Sequence, residues 1–138
     1  MEVMKVRKIL CVPLLALAAT VAPAWAHHSH SAYEVGKLVT MEGVVSQVQW
    51  KNPHMVVALD VPTAGGKVDT WVFEVAGTAS TVSSGITPRI LKVGNKVKIF
   101  ASPSRDKTKH LALFLGMEYG GKVYARGGRA RGFEDETN

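Results

Sequence analysis

The chain is 138 residues long, 46% hydrophobic and 20% charged, with 17 Lys and Arg against 11 Asp and Glu, a formal charge of +6 and one cysteine. That length allows one modest domain, and the composition is globular rather than disordered. The lone Cys11 excludes a disulfide framework and a zinc–thiolate site.

The first segment reads as an address. Lys5, Arg7 and Lys8 precede the apolar run Ile9 to Val21, and Ala24-Trp25-Ala26 offers small residues to a signal peptidase. This is the pattern of a secretory leader over 1–26, with an apolar run too short to span a bilayer comfortably. Cys11 sits at the front of that run, which argues against a lipoprotein anchor. The expectation is a soluble periplasmic protein with no membrane anchor after cleavage behind Ala26. Removing 26 residues from 138 leaves 112, without cysteine, and lowers the charge from +6 to +4, because the leader carries three basic residues and one acidic.

Residues 27–36 form a His-rich segment, and 37–125 read as one β domain. A strand runs from about Lys37, bent near Gly43, with Val44, Val48 and Trp50 alternating against Val45, Gln47 and Gln49. Asn52-Pro53 breaks it, since proline cannot donate to a ladder. Met55, Val57, Leu59 and Val61 share one face of a second strand, and Trp71, Phe73 and Val75 one face of a third. Thr87-Pro88 predicts the start of a short helix that buries Ile90 and Leu91 and stops at Gly94. Val97 and Ile99 point inward from a further strand, and Leu111, Leu113, Leu115 and Met117 form the most hydrophobic face. Gly120-Gly121 predicts a tight hairpin into Lys122. From Arg126 to the end the Gly/Arg composition predicts a disordered tail over 126–138. Three strands, a helical connection, then two or three strands is the order of a small, mainly-β, OB-like barrel.

Candidate chemistry centres on histidine. His27, His28, His30, His54 and His110 all follow the cleavage point. Cleavage makes His27 the amino terminus, where a free amine of pKa about 8 and an imidazole can chelate one ion together. An all-nitrogen set suits Cu(II) or Ni(II). His54 follows Asn52-Pro53 at a strand entrance, with the parity of Val56, Ala58 and Asp60, opposite the apolar face. The primary metal set is therefore His27, His28 and His54, with His30 and His110 as additional candidates and a copper ion as the cofactor. Trp50 and Trp71 are candidates for lining a ligand groove, although inward aromatic residues on strands are more often core.

No catalytic constellation emerges. No Gly-x-Ser-x-Gly elbow supports a nucleophilic serine near Ser102, Ser104 and Asp106. Gly116 to Lys122 has phosphate-loop spacing, but Val123 stands where the magnesium-binding hydroxyl belongs. Arg126-Gly127-Gly128-Arg129 reads as a solvated tail, and export removes the chain from most nucleic acid.

In these residues the chain resembles a family of small secreted bacterial proteins classed as a domain of unknown function. The likeness rests on His27-His28-Ser29 after the leader, Glu42-Gly43-Val44-Val45, Trp50-Lys51-Asn52-Pro53-His54, Trp71-Val72-Phe73-Glu74, Ser102-Pro103-Ser104-Arg105-Asp106 and the hairpin at Gly120. His30 departs from the pattern, which has an apolar residue there. The resemblance implies an OB-like β-barrel with His27, His28 and His54 as a polar signature, and implies no established activity. The expected function is periplasmic binding of a transition metal, copper first, without bond chemistry. The alternative is a metal-free module on the barrel that grips a small ligand or a periplasmic protein partner.

Overall fold

The computed structural model describes residues 30–125. The predicted leader over 1–26, the His27–His28 pair and the predicted tail over 126–138 lie outside the described residues.

Runs of alternating β-branched and aromatic residues become six strands: β1 (Val39–Gln49), β2 (Met55–Pro62), β3 (Val68–Val75), β4 (Lys96–Pro103), β5 (Leu111–Tyr119) and β6 (Lys122–Ala125). Their order is β3-β2-β1-β4-β5-β6, and β3 also pairs with β5. That extra pairing turns β1 to β5 into a closed barrel and leaves β6 as an added strand hairpinned onto β5. The β3–β5 seam is parallel, joining Val72–Glu74 to Leu111–Leu113, whereas the other pairings are antiparallel. A five-stranded barrel in this order, with its one helix α1 (Thr78–Ser83) between β3 and β4, is the expected OB-like architecture.

Inward side chains of all five barrel strands fill the core: Val45, Val57, Leu59, Phe73, Ile99 and Phe114 belong to one buried cluster. Each such aliphatic or aromatic side chain withdrawn from water stabilises the fold by about 1.5–3 kcal/mol. The Met55–Leu59 and Phe73–Val75 faces pack inward as their alternation predicts, with Val61 and Trp71 half-buried against the same cluster.

Two bulges alter the predicted pattern. In β1, Val45 pairs with Leu59 but Gln47 with Ala58, so Ser46 is an extra residue. An inserted residue changes which parity faces the core. Ahead of the bulge Val45 is buried and Val44 exposed, and beyond it Val48 and Trp50 pack against the core. Of the Val44–Val48–Trp50 face read from the sequence, Val44 alone is turned outward. In β5, Phe100 pairs with Gly116 and Ala101 with Phe114, which makes Leu115 the extra residue. Ala112, Phe114 and Met117 enter the core cluster; Leu111, Leu113 and Leu115 do not share one inward face with Met117.

The helix also lies earlier than predicted. Thr87 and Pro88 begin a hydrogen-bonded turn, with Ile90 and Leu91 both donating to the Thr87 carbonyl, although Leu91 is buried as expected. The helical turn is instead Thr78–Ser83, where Thr81 Oγ1 donates to the carbonyls of Ala76 and Gly77. Gly85, at φ 85°, ends it. Gly120 and Gly121, at φ 60° and 75°, make the two-residue hairpin predicted before β6.

Gly43 sits where β1 passes from β4 to β2, and a Cβ there would run into the backbone carbonyl of Asp60. Gly43→Ala is expected to lower unfolding stability by about 1–3 kcal/mol through forced backbone movement. Thr40→Ala, at an exposed position of the same strand, should stay within about 0.5 kcal/mol; urea midpoints compare the two.

Candidate functional site

The outward faces of β2 and β3 meet in cross-strand rows: Val56 opposite Glu74, Ala58 opposite Val72, and Asp60 opposite Thr70. Over the first two rows lies a groove of about 510 Å³. Val56, Val72 and Leu111 supply apolar floor, while Tyr33, Lys51, Asn52, Pro53, His54 and Glu74 line it with polar groups and the β1–β2 loop. The volume is that of a small-molecule site. The position, on the strand 2–3 face beside the first loop, is where OB barrels take ligands. By contrast, a cavity beneath α1, bordered by Val75, Thr81, Ile86 and Phe114, measures about 10 Å³, room for one water at most.

Two tethers hold the walls of the groove. Asn52 reaches from the β1–β2 loop to the start of α1, where its Oδ1 accepts from the Thr78 backbone N–H at 3.0 Å and the Thr78 hydroxyl at 3.1 Å. A helix start has unsatisfied N–H donors, and here the cap comes from a remote loop. The approach is close: a Cβ on Gly77 would lie 2.9 Å from the Pro53 carbonyl oxygen and 3.0 Å from Asn52 Oδ1. Fixing Asn52 and Pro53 fixes His54, the next residue.

The other tether is the segment that precedes β1. Tyr33 forms a bridge with Ser104, the Arg105 N–H donates to the Ala32 carbonyl, and Arg105 Nε donates to the Ser31 carbonyl at 3.0 Å. Lys107 Nζ reaches Glu34 Oε2 at 2.6 Å and holds that carboxyl below its ordinary range, chiefly by the hydrogen bond. Asp106 shapes the turn by accepting from the N–H and hydroxyl of Thr108; those bonds, with Lys109, lower its own pKa.

So fastened, Tyr33 is buried, and its hydroxyl donates to Glu74 Oε2 at 2.8 Å. Burial, then the Glu74 hydrogen bond and charge, push the phenol well above its ordinary pKa. The other Glu74 oxygen faces His54 Nδ1 at 3.6 Å, an ion pair when the imidazole is protonated. Tyr33, Glu74 and His54 thus form a polar row along the groove.

Of the residues predicted from sequence, His54 is the one seated in this row, exposed and off the core as its parity indicates. His110 lies elsewhere: it stacks on Trp71 with ring centroids 4.9 Å apart and planes 14° from parallel, and faces Asp69 at 4.0 Å. His30 is exposed at the start of a short 3-10 turn. Among the described residues, no three His, Cys, Asp or Glu side chains converge as a metal-holding group. Trp50 and Trp71 pack half-buried against the core, and neither is among the groove's lining residues. Tyr33 and Glu74 were missed as site residues. Glu74 carried a signal, since its parity opposes Trp71, Phe73 and Val75; Tyr33 carried none.

Fold and groove together define a class: a mainly-β, five-stranded closed barrel of OB type with one extra strand and a short helix, consistent with a module that binds a ligand or protein. Over residues 15–112 the chain matches the family of unknown function DUF6152, and it belongs to that family. No curated protein matches it, and no solved structure does.

Asn52→Ala should cost about 1 kcal/mol, the usual cost of losing a helix cap, and broaden the amide resonances of Lys51 and His54. Tyr33 carries a pH signature. Its proton is held more tightly in the folded chain, so its contribution is fully present below the ordinary value of 10.0 and is lost as pH climbs from there towards the raised folded value. Tyr33→Phe should be less stable than the parent at pH 7 by about 1–2 kcal/mol. That gap should shrink steadily above pH 10, measured by urea unfolding across the alkaline range.

Proposed function

We propose that this protein is a periplasmic binding module whose ligand or partner segment seats in the groove between the β1–β2 loop and Tyr33. The observation that carries the reading is the coincidence of a groove of about 510 Å³ with the ligand-bearing face of an OB barrel. Its walls are tethered from two sides, by Asn52 on Thr78 and by Tyr33 on Glu74, so binding meets a largely pre-formed surface and little ordering cost. The reading is one of recognition without bond chemistry. The periplasmic assignment rests on the leader pattern of residues 1–26.

A fragment library followed by two-dimensional NMR tests this. Hits should move the amides of Lys51, His54, Val56, Val72, Glu74 and Leu111, and Val72→Trp, which fills the groove, should abolish those shifts while the fold stays intact. Hits that map to another face, or persist in Val72→Trp, would overturn the assignment.

One arrangement favours a second reading, a transition-metal site. His54 and Glu74 offer one nitrogen and one carboxylate side by side. His28 lies five residues before Tyr33, and five extended residues span at most about 18 Å, which brings the leading histidines within reach of that pair. Such a site would hold copper through His27, His28 and His54 and weaken as imidazoles protonate. Titration of the chain beginning at His27 should then give one Cu(II) equivalent, a raised melting temperature, and loss of both in His54→Ala. Equal binding by the variant removes this reading and leaves the groove proposal standing.

A further inference from the structure

We propose that the groove selects a cationic group, an amine or guanidinium on an aliphatic body, and that Glu74 reads its charge. This rests on the groove being the binding site. Elsewhere on the described surface, carboxylates are neutralised by lysine: Glu34 by Lys107, Glu42 by Lys96, Glu118 by Lys98 and Asp106 by Lys109, all at 2.6–3.1 Å. The β2–β3 sheet is different. Asp60 accepts from the hydroxyls of Ser46 and Thr70, Asp69 faces His110, and Glu74 faces His54 and the Tyr33 hydroxyl. None of these three has a lysine or arginine within ion-pair distance among the described residues.

Glu74 is the member inside the groove. Its side chain is 24% exposed, so its charge is less screened than one in open water. Tyr33 fixes one carboxylate oxygen, and the other lies on the His54 side. A fixed, partly desolvated carboxylate beside an aliphatic floor of Val56, Val72 and Leu111 complements a cation carried on an apolar stem. Lys51 lines the rim and is exposed. It discourages a second positive charge on the ligand and is the rival charge reader, for anions. Phosphate-rich polymers are disfavoured, because OB barrels that take single strands present a positive groove with stacking aromatics.

The test compares three six-carbon probes of equal length, hexylammonium, hexanol and hexanoate, against the full exported chain and Glu74→Gln, followed on the groove amides by NMR. Gln keeps an oxygen for the Tyr33 hydroxyl, so the variant retains the tether. Hexylammonium should bind about tenfold more tightly than hexanol, the advantage of a charge-assisted contact, and that gap should close in Glu74→Gln while hexanol is unchanged. A fourth probe, acetyl-Leu-Lys-Leu-amide, separates the sources: tighter binding than hexylammonium assigns the cation to a partner chain, and equal or weaker binding assigns it to a small amine. Equal affinity for hexanol and hexylammonium overturns the charge proposal and leaves the groove as an apolar site. Hexanoate binding best, with loss in Lys51→Gln, overturns it in favour of an anion. Cu(II) alone moving these amides, with hexylammonium inert, replaces the organic cation by a metal. If no probe shifts the groove amides, the groove reading itself fails.

Discussion

Closure of the barrel at the parallel β3–β5 seam is the constraint on which both core and groove depend. The seam is short, Val72–Glu74 against Leu111–Leu113, and begins where the Val72 N–H donates to the His110 carbonyl. Its inward residues, Phe73 and Ala112, are fully buried in the core. Its outward residues, Val72, Glu74 and Leu111, line the groove. One set of backbone hydrogen bonds therefore brings two strands distant in sequence together and sets the groove at a fixed height over the core. Beside the seam, Trp71 and His110 stack. The pair reads as packing at the barrel's margin, with His110 engaged by an indole and the Asp69 carboxylate.

The seam gives the groove a floor, and long-range tethers give it walls. Asn52 and Thr78 are 26 residues apart, Tyr33 and Glu74 41, and Ser31 and Arg105 74. Each uses a strong acceptor, a side-chain amide, a carboxylate or a backbone carbonyl, on a donor that local secondary structure leaves open. Gly77 belongs to this arrangement for steric reasons, since the loop and the helix start approach closely enough to exclude a side chain.

These separations explain what was legible in the sequence. Period-two patterning is local, so Met55–Val61 and Trp71–Val75 declared their inward faces, and His54 declared itself outward by the same parity. The strand–helix–strand order declared the barrel. Bulges are set by the partner strand, so nothing local marked Ser46 or Leu115 as the residues that reverse parity in β1 and β5. The helix was misplaced for a similar reason. Thr87-Pro88 has the local chemistry of a helix start, but Thr78 has Asn52 as a cap from another loop. Of the Tyr33–Glu74–His54 row, parity exposed the glutamate and the histidine separately. Their meeting with a tyrosine from the segment before β1 required the closed barrel.

Net charge is a poor guide to the charge around this groove. A chain of +6 suggests an affinity for polyanions, yet on the described surface several lysines are paired: Lys96 and Lys98 serve Glu42 and Glu118 across β1, β4 and β5, and Lys107 pins the segment before β1 through Glu34. Lysine there performs structural neutralisation. The sheet that forms the groove has its carboxylates answered by hydroxyls and imidazoles instead, with no lysine or arginine at ion-pair distance among the described residues. Within the groove, Glu74 is the one carboxylate among the lining residues, with Lys51 at the rim. The influence of charges elsewhere on the molecule is screened within about 10 Å at ordinary ionic strength, so the charge environment inside the groove is governed by the groups that line it, Glu74 and Lys51 among them, rather than by the sum over the chain.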